Sequence, residues 1–119
     1  MNRIPKDLDL SPLSGLEVIQ VAIGQNEVIL QFHPVGAIRL EGAWTLKDKE
    51  GRHVDRSMEH SERDALRIHK VIGRKISRCV VRDERRLDVI FEDFVLEIQD
   101  DSDHYETFSI EHPTVKLYV

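Results

Sequence analysis

Histidines are the first candidates for chemistry in this sequence, which holds six of them in 119 residues. Imidazole nitrogens bind zinc when the chain spacing lets several converge on one ion. His53, His60 and His69 are separated by seven and nine residues, which matches no compact ligand motif. We therefore expect surface or half-buried histidines, no metal and no cofactor.

A run of acids near the C-terminus, Asp100-Asp101-Ser102-Asp103, is the second candidate. It is rich in oxygen ligands for calcium, but it lacks the turn glycine and the distal bidentate glutamate of a known calcium loop. An exposed acidic surface can instead steer a basic partner and set specificity. The partner-binding residues suggested here are the acids Asp100, Asp101, Asp103 and Glu106.

Catalytic patterns are weak in this chain. Cys79 is the single cysteine, and its neighbours Val80 and Val81 are typical of an inert, packed thiol. The sequence has no glycine-rich phosphate loop, no Gly-x-Ser-x-Gly elbow and no His-Glu-x-x-His motif. We therefore expect no catalytic residue. With no disulfide framework and no apolar leader in the first ten residues, a cytoplasmic location is expected.

Charge is distributed unevenly although the net charge is only -5. Residues 63–86 hold nine Lys and Arg against three acids, whereas residues 87–112 hold nine acids and no Lys or Arg. Two interpretations stand: the blocks face each other across a hairpin and offset one another, or the acids form an exposed partner surface. The acidic block would repel a polyanion, so no nucleic-acid binding is expected. No segment has the length of a membrane span.

Apolar alternation predicts a mainly β fold of the α+β type, in a single domain covering residues 1–119. A first meander over 16–46 places Ile19, Val21 and Ile23 on one face of its first strand. A charged loop over 47–60 follows. Ser61-Glu62-Arg63-Asp64 has capping-box spacing and predicts one helix over 61–73. A second antiparallel meander over 74–119 completes a small roll, barrel or sandwich.

The two meanders also align with each other. The sequence spacing is similar in the two halves. It runs through Gly15, Val18, Val21 and Phe32 in the first half, and through Gly73, Ile76, Cys79 and Phe91 in the second. Either the meander is duplicated, or any two amphipathic meanders would align this well. Duplication predicts Trp44 and Phe108 in equivalent positions. Trp44 and Tyr105 are either core residues or, if exposed, part of a contact surface.

Apolar positions and turns in the second half, Leu66-x5-Gly73-x2-Ile76, Leu87-x3-Phe91-x4-Leu96-x-Ile98 and Tyr105-Glu106-x-Phe108-Ser109-Ile110, carry a family resemblance. With the Leu16-x-Val18-x2-Val21 segment and the Trp44 strand, they resemble a family of short bacterial proteins known only as a domain of unknown function. The general pattern is also similar to small β-rich immunity proteins of bacterial toxin systems. The resemblance implies no activity, cofactor or site residue.

Two functions are consistent with these observations. The first is a non-catalytic interaction module that binds a protein partner through its acidic C-terminal half, as an immunity-type inhibitor or as a homodimer formed along the strand that ends at Val119. The second is a small enzyme or ligand-binding protein with a pocket between the two β halves, using His69, His104 or Arg78.

Overall fold

A computed structural model describes residues 3–119, and over that range the chain forms ten strands and three 3-10 turns, with no α-helix. No helix in this range has the length and apolarity needed to span a membrane. The strands are β1 (Glu17–Ile23), β2 (Val28–His33), β3 (Ala37–Leu40), β4 (Ala43–Asp48), β5 (His53–Arg56), β6 (Ile76–Asp83), β7 (Arg86–Phe91), β8 (Phe94–Gln99), β9 (Phe108–His112) and β10 (Val115–Tyr118). The turns are Ser11–Leu13, His60–Glu62 and Ile68–Val71.

Two five-stranded antiparallel sheets contain all ten of these strands. The first sheet has the order β1-β2-β3-β9-β10 and the second has the order β5-β4-β8-β7-β6. Each half of the chain therefore contributes three strands to one sheet and two strands to the other. The prediction of a mainly β, antiparallel fold is confirmed, and the described residues form no closed barrel.

One hydrophobic cluster joins the inward sides of both sheets. In the first sheet, a row across the strands consists of Val21, Leu30, Ile38, Ile110 and Leu117. In the second sheet, Cys79, Val89, Leu96 and Leu46 form the corresponding row. Burying one such aliphatic side chain contributes about 1.5–3 kcal/mol, so these rows hold the sheets together.

An approximate twofold relation links the two halves of the chain. Val18 pairs with Phe32 as Ile76 pairs with Phe91, and a bulge follows at the same point in β1 and β6. Leu40 and Ile98 are equivalent positions in the third strands of the two meanders. Phe108 pairs with Leu40 and Trp44 pairs with Ile98. Trp44 and Phe108 therefore occupy the equivalent positions that a duplicated meander predicts.

Backbone bonds at the centre of this relation are reciprocal. Gly15 N donates to Ile76 O and Gly73 N donates to Val18 O, both over 2.7 Å. Both glycines have a positive φ, near +87°, which side-chain-bearing residues rarely adopt. The paired residues Glu17 and Lys75 lie between these contacts, so the two halves are joined through β1 and β6.

The third strand of the first meander differs from the prediction. The sequence suggested one strand through Trp44, but the chain leaves the first sheet after Leu40 and enters the second at Ala43. Gly42 makes this crossover possible. A Cβ there would lie 2.8 Å from both Asp101 Oδ1 and Thr107 Cβ, closer than side chains pack.

The helix expected over 61–73 is wrong, and two 3-10 turns occupy this segment. Neither turn receives a side-chain cap from its own N-cap residue, so the capping-box prediction fails. Ile68 and Val71 are the buried positions here, a spacing of three that suits 3-10 geometry. An α-helix over 61–73 would place Ala65, Ile68, His69 and Ile72 on one face, and of these only Ile68 is buried.

Two further predictions need correction. The loop expected over 47–60 contains β5, which pairs with β4. Ile19 was expected on the buried face of β1 but is 53% exposed. The bulge between Val18 and Gln20 inserts a residue, which reverses the direction of the neighbouring side chains.

Replacing Phe108 by Ala tests whether the equivalent aromatic positions anchor the core. Phe108 is fully buried, so the cavity left by Phe108→Ala should lower the free energy of unfolding by about 3–5 kcal/mol in urea titrations. The control is Tyr105→Ala, because Tyr105 is 76% exposed and its loss should change stability by under about 0.5 kcal/mol. Similar losses for both variants would contradict this packing.

Candidate functional site

The acidic loop between β8 and β9, residues 100–107, is held by two arginines. Arg3 contacts Asp100 Oδ2 over 2.8 Å and Asp103 Oδ1 over 2.6 Å, and Arg85 pairs with the same Asp103 oxygen. These contacts, with Arg85 first, hold the pKa of Asp103 below its ordinary value. The Asp100 side chain is fully buried and also accepts a hydrogen bond from Thr107. Asp100 therefore belongs to the framework of the loop.

The other residues suggested for partner binding lie in different environments. Trp44 is 4% exposed and forms part of the core. Tyr105 projects from the acidic loop and Glu106 beside it is half-buried. Asp101 is exposed. Of the six suggested residues, Asp101, Glu106 and Tyr105 thus reach the surface with side chains that Arg3 and Arg85 do not hold.

Opposite charges meet across the hairpins of the second sheet. Asp88, which is 2% exposed, contacts Arg82 across the β6–β7 hairpin and Arg86 on its own strand. Glu97 contacts Arg86 and Lys47. The interpretation that the basic and acidic blocks offset each other is confirmed for the pairs of Asp88 and Glu97 with Arg82 and Arg86, whereas Lys47 lies outside the basic block. The acidic run in the sequence therefore overstates the acidity of the folded surface.

An open cleft of about 460 Å³ lies at the end of the sheets where β3 crosses to β4. Three segments and one side chain of the acidic loop form its walls. They are the β1–β2 turn (23–28), the crossover (40–44), the chain after β5 (57–60, with Arg63 and Leu66), and Asp101. The pocket suggested from His69, His104 and Arg78 does not correspond to this cleft, because none of those residues lines it.

Carboxylates dominate the charge around this cleft. Glu27 is paired with Arg39 on the neighbouring strand. Glu41, Glu59 and Asp101 are exposed and have no ion-pair partner among residues 3–119. Arg63, the one Lys or Arg among the lining residues, is paired with Asp55, so these three acids line the opening without an ion-pair partner among residues 3–119. We call Glu41, Glu59 and Asp101 the rim carboxylates.

A buried ion pair supports the cleft wall. Arg63 contacts Asp55 Oδ1 over 2.6 Å, and the two side chains are only 9% and 6% exposed. Asp55 also accepts backbone hydrogen bonds from Arg56, Arg67 and Ile68. Burial opposes ionisation of Asp55, but the Arg63 contact and these N–H groups outweigh it and lower the pKa.

Arg63 also connects the wall to the core. Its guanidinium carbon lies 6.0 Å from the centroid of the Trp44 ring, within cation–π range. Its terminal nitrogens donate to the carbonyl oxygens of Ala65 and Arg56. Its Nε is buried without a hydrogen-bond partner in the described chain. Arg63 thus holds residues 57–66 in the position that forms the cleft.

The approximate twofold relation makes the two crossovers between the sheets comparable. They lie side by side at the same end of the sheets, where Glu41 N and Gly42 N donate to Thr107 O. The chain crosses from β3 to β4 in two residues, 41–42, and the cleft on that side is open. The crossover from β8 to β9 takes eight residues, 100–107, and on its side Arg3 and Arg85 form ion pairs with it. Equivalent places in the fold are therefore open beside the first crossover and closed beside the second.

Other groups with chemical potential do not converge. Burial raises the pKa of the Cys79 thiol to about 12, so it is protonated at neutral pH. Among residues 3–119, no group of three or more His, Cys, Asp or Glu side chains is placed to hold a metal ion. His60 lines the cleft, and its Nε2 lies 2.9 Å from Gly24 O. That contact ties the wall to the β1–β2 turn.

Sequence reasoning missed the residues that shape the cleft. Asp55 was placed in a solvated loop and Arg63 in a helix, although Arg63 and Asp55 are the buried pair. One signal was available: the apolar Val54 interrupts a polar stretch just where β5 pairs with β4. Arg3 gave no signal, since its partners lie 97 and 100 residues away.

Comparisons of the chain with models of protein families, with curated proteins and with solved structures find no match in any of the three. The resemblance to a bacterial family of unknown function therefore stays a prediction.

Removing the Asp55 carboxylate should loosen the cleft wall. Asp55→Asn leaves Arg63 buried without a counter-ion, and we expect a loss of about 3–5 kcal/mol in the free energy of unfolding at pH 7. Because the folded-state pKa lies below the ordinary 3.8, this contribution is complete above that pH and is lost as the pH falls through the lowered value.

Urea titrations of both proteins between pH 7 and pH 2.5 measure this effect. The stability difference between wild type and Asp55→Asn should be constant down to about pH 5 and shrink below about pH 4. Asp64→Asn is the control, since Asp64 is exposed and has no ion pair in the described chain. A difference that grows on acidification would refute the role given to Asp55.

Proposed function

We propose that this protein is a non-catalytic interaction module that binds a basic segment of a protein partner at the cleft. The observation that carries the proposal is the position of the rim carboxylates, which line an open cleft and have no ion-pair partner among residues 3–119. Complementary charge at such a rim raises the association rate and selects against acidic partners. An immunity-type inhibitor is one form of this function.

The chain contains its own example of such recognition. Beside the second crossover, Arg3 from the N-terminal segment bridges Asp100 and Asp103. In the open cleft, a basic side chain from a partner would contact the rim carboxylates as Arg3 contacts those two acids. A guanidinium is well suited to this contact because its fork of donors matches carboxylate geometry.

The solvent exposure of the rim carboxylates supports a binding function over a catalytic one. Carboxylates that act as general acid and base are held in sites that exclude water and shift their proton affinity. Glu41, Glu59 and Asp101 are instead exposed to solvent. The buried groups near the cleft, Arg63 and Asp55, neutralise each other.

A homodimer is the second candidate, supported by the position of β10 as an outermost strand of the first sheet. An outermost strand can pair with the same strand of a second copy. Lys116 on this strand is exposed and opposes such pairing, since edge lysines disfavour strand addition. Sedimentation between micromolar and millimolar concentration decides between a monomer and a dimer.

Neutralising the rim carboxylates tests the proposed function. We expect Glu41→Gln/Glu59→Gln/Asp101→Asn to bind an arginine-rich ten-residue peptide about tenfold more weakly than wild type, a change of about 1.4 kcal/mol. Fluorescence anisotropy of the labelled peptide at 20 and 200 mM salt is the measurement. The salt dependence should be smaller for the variant, because fewer charges contribute.

The control carries the same change in net charge elsewhere. Asp7→Asn/Glu84→Gln/Glu92→Gln alters three exposed acids that do not line the cleft. Equal weakening in both variants would refute the cleft as the site. Rim-dependent binding of the polyamine spermidine, without binding of the peptide, would instead favour the small-ligand alternative. Charge reversal at Asp100 is unsuitable, because it would disrupt a buried ion pair.

A further inference from the structure

The outward side of the second sheet carries bases on four of its five strands. The strand registers place two rows on this side: Val80, Asp88, Glu97, Thr45 and Arg56 form one, and Arg78, Ile90, Val95, Lys47 and His53 form the other. Arg82 and Arg86 lie beside Asp88 on the same side. We call Lys47, Arg56, Arg78, Arg82 and Arg86 the basic face.

This face is positive although the whole chain is negative. Its acids, Asp88 and Glu97, are buried or nearly so under the bases that they contact, with side chains 3% and 13% exposed. Five bases and two acids give the face a charge of +3, against -5 for the chain. The exposed charge on this side is therefore cationic.

Buried carboxylates fix the orientation of two of these arginines. Arg82 donates through Nε to Asp88 Oδ2 over 2.8 Å, and Arg86 donates through Nε to Asp88 Oδ1 over 3.0 Å. Within the described chain, the terminal nitrogens of Arg82 have no acceptor, and the side chain is 48% exposed. An arginine held at its Nε loses little conformational freedom when its other nitrogens bind an anion.

The spacing of the bases suits an extended ligand. Arg78 on β6 and Arg56 on β5 lie on opposite edges of the sheet. Five strands spaced about 4.8 Å apart separate them by about 19 Å, which an extended peptide spans with about six residues. Both side chains are exposed and have no ion pair in the described chain.

Composition favours a protein ligand over a nucleic acid. Val80, Ile90 and Val95 are half-buried between the bases and offer apolar contact. The outward rows contain no Phe, Tyr or Trp on which a base could stack, and their one aromatic ring is the imidazole of His53 on the edge strand β5. The acids elsewhere on the chain would repel a long polyanion more than a short acidic segment.

We propose that the basic face binds an extended acidic segment of a partner protein, which lies across the strands of the second sheet from β6 to β5. Its carboxylates contact the terminal nitrogens of Arg82 and the side chains of Arg78 and Arg56. This surface is separate from the cleft, since none of its residues lines the cleft.

Reversing the charge at the two edges tests this proposal. The probe is a labelled ten-residue peptide of alternating Glu and Val. We expect Arg56→Glu/Arg78→Glu to weaken binding at least tenfold at 50 mM salt, measured by fluorescence anisotropy. Both residues lie outside the Asp88 network, so the variant should keep the circular dichroism spectrum and the urea midpoint of wild type.

A matched control is Arg67→Glu/Lys70→Glu, which changes the same charge at two exposed bases outside this face. It should bind the acidic peptide within about threefold of wild type. Equal loss in both variants, or no binding of the peptide to wild type, would overturn the proposal. Tighter face-dependent binding of a twelve-nucleotide single strand than of the peptide would also overturn it, in favour of nucleic acid.

Discussion

The exchange of strands between the two halves is the constraint on which the structure depends. Each sheet is built from three strands of one half and two of the other. Neither half can therefore complete a sheet alone, and the apolar rows are continuous only when β9 has paired with β3 and β4 with β8. Such pairings are distant in sequence, so the halves should fold as one unit.

Because the two halves share one framework, the places where they differ are the best candidates for function. The longest departure is the crossover from β8 to β9, where residues 100–107 replace the two residues 41–42 of the first half. Part of this loop is neutralised by Arg3 and Arg85, while Asp101 lies against Gly42 of the neighbouring crossover and lines the cleft. One insertion thus closes the side next to Arg3 and Arg85 and supplies an acid to the cleft on the other side.

Local patterns predicted most of the strands and little of the site. Alternation identified β1, β2, β7, β8 and β10 because a half-buried strand shows its period within a few residues. It could not show the crossover at Gly42, since β3 and β4 continue one pattern while belonging to different sheets. The prediction of a helix over 61–73 failed because the carboxylate of Asp55, on strand β5, accepts hydrogen bonds from backbone N–H groups of that segment. The Asp55–Arg63 pair itself depends on tertiary packing that no local pattern reports.

Linear charge was the least reliable guide, for a physical reason. A block of acids beside a block of bases in sequence forms cross-strand ion pairs when the two blocks lie on neighbouring strands, as Asp88 does with Arg82 and Glu97 does with Arg86. The surface charge then comes from side chains that have no ion-pair partner or from regions with an excess of bases over acids. This charge is negative at the rim carboxylates and positive on the basic face. A protein with a modest net charge can therefore present two oppositely charged surfaces, and its choice of partners follows from the unpaired groups.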